Sequence, residues 1–142
     1  MTPGPPASSA PVAAPVAVLV AEAARKSRVC WLSYRHGGGE VRNRLVWHVW
    51  HDEALVVVDG DGPQRLPGIA TAEQVSVTLR AKESRAALVT VPARPEPVAP
   101  GTPAWDENVT ALLAMRLNLR DAAATRTEWA ASAQVVRLRP AP

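Results

Sequence analysis

The sequence has little cysteine and no long uninterrupted apolar segment. Its one cysteine, Cys30, cannot form a disulfide within the chain, so nothing in the sequence requires an oxidising compartment. The longest apolar stretch near the N-terminus, residues 11–21, is broken by proline and is too short to cross a bilayer. Residues 1–15 contain no lysine or arginine, whereas a signal peptide begins with a basic region. These absences favour a cytoplasmic protein without a membrane partner.

Charge is also sparse and evenly spread. The chain has 16 basic and 13 acidic residues, a formal net charge of +3, and only two of the basic residues are lysines, Lys26 and Lys82. A nucleic-acid-binding tail usually contains a block of five or six like charges, and this chain has no such block. We therefore expect no nucleic-acid partner.

Prolines divide the chain into segments. Twelve of the 14 prolines cluster within residues 3–15, 92–103 and 140–142. A chain of 142 residues that is 47% hydrophobic has room for one domain with one core. We therefore predict a disordered tail over residues 1–15, a single domain over residues 16–139 and a disordered C-terminus over residues 140–142. The internal run 92–103 is predicted to lie outside the folded elements, because proline cannot donate to a strand ladder.

The first half of the domain changes its hydrophobic period. Alanine-rich residues 16–26 have apolar residues at helical spacing and predict a short helix. Residues Val29–Tyr34 then alternate, and Val41–His51 resumes the extended pattern after the three glycines at 37–39. Two extended runs joined by glycines predict a β-hairpin.

The second half contains further strands and one well-marked helix. Thr102 is placed to cap that helix, with Pro103 at its first position and a stripe of apolar residues extending to Leu117. The remaining predicted strands cover residues 54–58, 74–80, 86–91 and 134–139. Six short strands with helices outside predict a mainly β protein, a six-stranded antiparallel split β-barrel with flanking helices.

The densest chemical feature is the predicted strand around residues 44–51. Alternate side chains of a strand point to opposite faces, so His48 and His51 cannot chelate one metal ion there. One face carries Arg44, His48 and Trp50, a cation, an imidazole and an aromatic ring that suit a planar anionic ligand. The alternative is that the tryptophans belong to the core. No HExxH or GxSxG motif is present, so we predict no metal site, and the catalytic residues stay unknown.

The loop after the third predicted strand, residues 59–65, reads Asp-Gly-Asp-Gly-Pro-Gln-Arg. Glycines let the backbone approach a ligand closely, and the guanidinium of Arg65 can bind a phosphate with two parallel hydrogen bonds. The loop therefore predicts a phosphate contact, although an arginine that simply lies on the surface is the alternative.

Taken in order, these segments resemble the pyridoxamine 5'-phosphate oxidase-like family of flavin-binding split barrels. Arg44-Leu45-Val46-Trp47 is similar to the family's Arg-x-Val strand, and Val56–Asp59 to its short hydrophobic strand. Gln64-Arg65 stands where the family has its phosphate-binding residues. Val75-Ser76-Val77 follows ten residues after Arg65, as in the family's Val-Ser-Leu-like strand. The resemblance covers about residues 17–91.

The resemblance implies a site, a cofactor and an assembly. It implies that FMN, or a deazaflavin, is held at a homodimer interface and that a flavin-dependent oxidoreductase acts on a small-molecule substrate, which the sequence does not name. By the same resemblance Arg44 and Arg65 would bind the phosphate, with Gln64 assisting. The backbone of Leu45, Val46 and Trp47 would run beside the flavin ring.

The chain also departs from the family pattern. Where the family usually has a serine followed by arginine or lysine, this chain has Pro63-Gln64-Arg65. Pro67-Gly68 also interrupts the helix that normally follows. Two alternatives therefore stay open. One is a cofactor-free barrel that acts as a binding or interaction module. The other is a haem-binding barrel with His48 or His51 as axial ligand.

Overall fold

The computed structural model describes residues 17–35, 39–80, 88–115 and 121–141, and in these it has a mainly β fold. Helix α1 is present over residues 17–26. Helices α2 (Pro103–Ala114) and α3 (Ala122–Ser132) lie late in the chain, and Ile69–Thr71 form a 3-10 turn. The strands are β1 (Val29–Arg35), β2 (Val41–Trp47), β3 (Val49–His51), β4 (Ala54–Asp59), β5 (Val75–Arg80), β6 (Leu88–Val98) and β7 (Gln134–Pro140).

All seven strands form one antiparallel sheet that curls into a barrel. The strand order is β2-β1-β5-β6-β7-β4-β3, so β2 and β3 stand at opposite edges of the sheet. Only His48 separates these two strands in sequence. Because one residue cannot span a flat seven-stranded sheet, the sheet must curl until its two edges meet at His48. The predicted split-barrel architecture is therefore confirmed, with seven strands instead of six.

The seventh strand arises because the run Val41–His51 is not one strand. The backbone leaves the ladder at His48, whose N–H donates to the carbonyl of Arg28 (2.8 Å). On one side of this corner Trp47 is opposite Val29, and on the other Val49 is opposite Val56. Local alternation continues through the corner, so the sequence pattern did not mark it.

The curled sheet has an inner and an outer apolar cluster. The inner cluster fills the barrel and includes Leu32, Val57 and Leu79. The outer cluster lies between β4, β7 and the two late helices, and includes Val58, Leu112 and Trp129. Alternating side chains of a strand point to opposite faces, and both faces of β4 are buried. This explains why β4 reads as a continuous apolar run.

The prediction that the proline-rich run 92–103 lies outside the folded elements is wrong, because β6 continues to Val98. In an antiparallel strand the N–H and C=O groups of one residue point to one side, and those of the next residue point to the other side. The carbonyl of Pro92 faces β7, where it accepts from the N–H of Ala141 (2.8 Å), so Pro95 and Pro97 face the other side. On that side β5 has already ended, since its first residue Val75 is opposite Ala93. The prolines lie where the ladder needs no donor.

Helix α2 begins where the sequence predicted a helix, whereas the sequence analysis did not predict α3. The Thr102 hydroxyl accepts from the N–H of Trp105 (3.2 Å), as expected of its cap, and Pro103 is the first helical residue. Helix α3 begins after Asp121, whose carboxylate accepts from the N–H of Ala124 (3.0 Å). Its only buried side chain is Trp129. Without an apolar stripe it has no helical period to detect.

One buried arginine, Arg137 on β7, ties the sheet to helix α2. The β3–β4 hairpin turns at Asp52 and Glu53, both with positive φ (50° and 64°), as a two-residue hairpin turn requires. The Arg137 guanidinium donates to the carbonyls of His51 (3.2 Å) and Asp52 (2.7 Å) and to the side chain of Asn108 on α2 (2.9 Å). A buried cation is stabilised when its donors are used in this way.

Several predictions lie outside the described residues. These are the tail over residues 1–15, the first two glycines of the 37–39 turn, the start of the strand over 86–91, and the end of the helical stripe at Leu117. Strand β7 extends into the predicted C-terminal tail, to Pro140. None of the described helices is both long and apolar enough to cross a membrane.

Candidate functional site

A cavity of about 530 Å³ opens beside β2, at the place where the two sheet edges meet. Small-molecule sites occupy about 300–1,000 Å³ and combine apolar walls with a few polar groups, and this cavity has both properties. It is lined by Arg28, Leu45, Trp47, His48, Asp61, Gly62, Pro63, Gln64 and Met115. It therefore brings together three of the six residues predicted to bind a cofactor, namely Leu45, Trp47 and Gln64.

The side chain of Gln64 fills the gap where the ladder opens. The register of β3 with β4, continued past the corner, would place Trp47 opposite Val58. There the Gln64 amide takes the place of a strand: its oxygen accepts from the Trp47 N–H (2.9 Å) and its nitrogen donates to the Val58 carbonyl (3.0 Å). A longer bond runs from the same nitrogen to the Trp47 carbonyl (3.4 Å). Both amide hydrogens are engaged, so Gln64 could bind a phosphate only by releasing one of these bonds.

Trp47 forms an aromatic wall of the cavity and is supported from behind. Its ring centroid lies 6.2 Å from that of Trp129 on α3, with the planes tilted by 36°, a geometry typical of favourable aromatic pairs. The indole N–H of Trp129 donates to the carboxylate of Asp61 in the cavity lining (3.3 Å). Helix α3 thereby fixes two elements of the cavity, the Trp47 ring and the 61–64 loop.

His48 and His51 occupy different environments. His48 is 1% exposed, and its Nε2 lies 3.0 Å from the Ala24 carbonyl; since a carbonyl only accepts, Nε2 carries the proton. Burial lowers the pKa of His48, against the effect of this hydrogen bond. The Nε2 of His51 lies 3.2 Å from the Glu107 carboxylate on α2. Among the described residues no three His, Cys, Asp or Glu side chains are grouped to hold a metal ion.

The two arginines predicted to bind the phosphate do not line one cavity. Arg65 is exposed and donates from Nε to the Gly62 carbonyl (3.1 Å). It lines a second cavity of about 730 Å³, beside Ser132 and Ala133 at the C-terminal end of α3. Arg44 is half-buried and lines neither cavity; its Nη1 donates to the Asn43 carbonyl (3.2 Å).

Val46, the remaining predicted residue, is 2% exposed and belongs to the inner cluster. Its side chain is therefore core, and only its backbone could approach a ligand. The binding roles of these six residues stay predictions.

Sequence reasoning missed two lining residues, Arg28 and Met115, and it named His48 as a ligand candidate but placed it within a strand. Arg28 precedes β1 and Met115 follows α2. Nothing in the local pattern groups these residues, because they meet only when the barrel closes. Cys30 is fully buried in the inner cluster, and burial raises the pKa of its thiol to about 12.

No family model matches the sequence, and the curated proteins contain no match to it. Solved structures are similar in fold. The haem storage protein HutZ of Vibrio cholerae aligns over 87% of this chain and 88% of its own, with a TM-score of 0.64 and 14% identity. A FAD-binding protein of Mesorhizobium loti aligns over 89% and 88%, with a TM-score of 0.60 and 15% identity.

A third similar structure is a putative pyridoxamine 5'-phosphate oxidase of Listeria innocua. It aligns over 88% of this chain and 90% of its own, with a TM-score of 0.56 and 12% identity. Agreement over almost the full length of both chains, at such low identity, shows a common fold. The chain therefore has the split β-barrel fold of the pyridoxamine 5'-phosphate oxidase-like and flavin-binding proteins.

Proposed function

We propose that this protein binds a flavin-type cofactor, FMN or a deazaflavin, and acts as an oxidoreductase on a small substrate. The observation that carries the proposal is the cavity of about 530 Å³ along β2, with the Trp47 ring as one wall and Arg28 as a cation in the lining. This is the strand that the sequence resemblance places beside a flavin ring. The fold is also that of a FAD-binding protein, and this similarity supports the same class of ligand.

The residues of the cavity fit a planar, anionic ligand. An aromatic wall and apolar side chains, Leu45 and Met115, would exclude water from a bound ring, and a guanidinium would offset its negative charge. Gln64 holds the Trp47 backbone in place, so the wall is preformed. A bound flavin supplies the hydride or electron transfer itself, which is why the chain needs no acid–base pair of its own.

We further propose that the protein is a homodimer through the outer face of the β1–β2 hairpin. Four large apolar side chains lie exposed there, Val29 (44%), Trp31 (43%), Val41 (47%) and Leu45 (59%), and Trp31 is directly opposite Leu45. Contiguous exposed apolar surface of this kind marks an interaction site. Because Leu45 also lines the cavity, a second copy on this face would close the cavity against water.

A haem-binding function is the second candidate, supported by the fold shared with HutZ. The two histidines differ in what they offer to an iron atom. The Nε2 of His48 donates to the Ala24 carbonyl, so only its Nδ1, a buried nitrogen without a partner among the described residues, could ligate iron, and the ring is 1% exposed. The side chain of His51 is 29% exposed and would have to leave only Glu107. His51 is therefore the more accessible of the two candidate axial ligands.

The test is an absorption spectrum of the purified protein, followed by titration with FMN, a deazaflavin and haemin. We expect flavin bands or micromolar flavin binding that weakens in Trp47→Leu. The matched control is Trp105→Phe, a buried tryptophan on α2 whose indole N–H has no partner in the described part of the chain and which does not line the cavity.

The other results would redirect the proposal. A Soret band that disappears in His51→Ala would favour haem. A colourless protein that binds none of the three ligands would contradict the cofactor proposal and favour a cofactor-free binding module. Loss of flavin binding in Arg44→Ala and Arg65→Ala would support both arginines as phosphate ligands.

A further inference from the structure

We infer that the Nδ1 atom of His48 accepts a hydrogen bond from the ligand of the cavity, and that together with Arg28 it selects a ligand with an N–H group beside a carbonyl. The imide of a flavin, in which the N3–H lies between two carbonyls, has this pattern. That identity of the ligand rests on the proposed function, whereas the acceptor itself does not. Neither residue is among the six that the sequence analysis assigned to cofactor binding.

The fold determines which nitrogen of the His48 ring carries the proton. Nε2 lies 3.0 Å from the carbonyl of Ala24 on α1 and donates to it, because a carbonyl can only accept. In a neutral imidazole the other nitrogen, Nδ1, is then an acceptor. The backbone N–H of His48 donates to the Arg28 carbonyl (2.8 Å), so the residue is held at its backbone as well as at its ring. Nδ1 is therefore presented as an acceptor before any ligand binds.

This acceptor is not used by the described part of the chain. Nδ1 of His48 is buried and has no hydrogen-bond partner among the described residues. Buried polar atoms almost always have a partner, and one without a partner is unfavourable. Burial also lowers the pKa of His48, which keeps the ring neutral and Nδ1 unprotonated at neutral pH. A ligand that brings an N–H group to Nδ1 would supply the missing hydrogen bond.

The position of His48 connects this acceptor to the cavity. His48 lines the cavity together with Trp47 and Arg28, at the corner where the two sheet edges meet. Ala24, the partner of Nε2, does not line the cavity. The Nε2 side of the ring therefore faces α1, and the two ring nitrogens point in divergent directions. Because the Nδ1 atom is itself buried, we place its contact with a ligand at the inner end of the cavity.

His48 and Arg28 together specify the chemistry of the ligand edge. Nδ1 can only accept, whereas the guanidinium of Arg28 can only donate. An imide or lactam edge satisfies both groups, because its N–H lies next to a carbonyl. A carboxylate could bind Arg28 but would present only lone pairs to Nδ1. A site built to hydrogen-bond an N–H group rejects an analogue that lacks this group, because the polar atom of the site is then left unpaired.

The experiment compares the affinity of the full-length protein for riboflavin with its affinity for 3-methylriboflavin, in which a methyl group replaces the N3 hydrogen. We expect the wild type to bind riboflavin at least about tenfold more tightly. His48→Gln keeps an N–H donor for the Ala24 carbonyl but removes the acceptor, so the ratio should fall toward one. His48→Asn keeps an amide oxygen near the position of Nδ1 but loses the bond to Ala24, so much of the ratio should remain.

This pair of variants separates ligand recognition from a purely structural role of His48. A structural role predicts that His48→Asn is the more damaging change, because the bond to α1 is the one that it loses. Arg28→Met should weaken the binding of both flavins and leave the ratio unchanged. Arg25→Met is the matched control, an exposed arginine of α1 that does not line the cavity, and it should affect neither affinity.

A second measurement separates this inference from the proposed function. Uracil has the same imide edge as a flavin, and 3-methyluracil lacks its N3 hydrogen, so we compare the rise in melting temperature that each compound causes. If no flavin binds but uracil alone stabilises the wild type, and His48→Gln loses this effect, the acceptor stands and the proposed function fails. If a flavin binds but the wild-type ratio is one, or is unchanged in His48→Gln, the function stands and the inference is wrong. If neither a flavin nor uracil binds, both are wrong.

Discussion

The outer surface of the barrel is completed differently on its two sides. Over β4 and β7 the outward side chains, among them Val56, Val58 and Val135, are almost fully buried under α2 and α3. Over β1 and β2 the outward side chains Trp31 and Leu45 stay 43% and 59% exposed. Both sides are apolar, yet the helices of the described residues cover only one of them.

The difference separates apolar surface that the chain buries under its own helices from apolar surface that we expect a partner to bury. Apolar area that is removed from water stabilises a fold by about 25 cal/mol per Å². On the covered side this stabilisation is already present in the monomer. On the β1–β2 side the apolar area is still exposed, and association with a second copy of the chain would bury it and add the same kind of stabilisation. The comparison therefore predicts that equal substitutions on the two sides affect different properties.

The largest expected effect is on the covered side. Leu112→Ala removes a fully buried side chain between α2 and the sheet and should lower the free energy of unfolding by about 2–5 kcal/mol. Leu45→Ala is the same chemical change at a 59% exposed position and should cost less than about 1 kcal/mol in the monomer. Urea denaturation at low protein concentration measures both. Equal losses in the free energy of unfolding for the two variants would contradict the proposed difference in burial between the two sides.

An intermediate effect is expected on the uncovered side. Trp31→Arg puts a charge into the centre of the proposed dimer face and should raise the dimer dissociation constant by at least about tenfold. The melting temperature of the monomer should change little. Val18→Arg, a substitution at a 60% exposed apolar residue of α1, is the control. Sedimentation analysis measures the dissociation constant, and a wild-type chain that is monomeric at all concentrations would contradict the proposed dimer.

The smallest effect concerns pH and the corner that joins the two sides. Burial lowers the pKa of His48 below its ordinary value of 6.5, so at acidic pH the unfolded chain binds a proton that the folded chain does not. His48 therefore contributes stability that is full above pH 6.5 and is lost as the pH falls toward its folded pKa. Urea midpoints at pH 7.5 and pH 5 should show this loss in the wild type and in His51→Gln, and a smaller loss in His48→Gln. An undiminished loss in His48→Gln would assign the pH dependence to other groups.

Much of the fold was predictable because its signals are local. Alternation in residues 29–34 and 74–80 identified two strands, and the cap at Thr102 placed the start of α2. Such signals depend on neighbours in sequence, and tertiary contacts did not override them. Strand β6 was cut short because the rule that excludes proline from strands depends on which side of the strand has a partner. That information belongs to the sheet and not to the segment.

The candidate site was predictable only in part, because the residues that build it are far apart in sequence. The Arg-x-Val strand and the 59–65 loop were recognised, and the barrel brings Leu45, Trp47 and Gln64 to one cavity. The role of Gln64 as a substitute for a missing strand depends on the gap that the His48 corner creates. The separation of Arg44 from Arg65 also depends on barrel closure.

By itself, the sequence determined that the chain forms a mainly antiparallel β domain with helices outside, since hydrophobic period and capping residues act within a few positions of one another. Only the tertiary structure decided where the sheet closes, which apolar face stays uncovered and which charges lie together. Barrel closure and helix docking are set by contacts between distant segments, and the free energy of those contacts is not contained in any one segment.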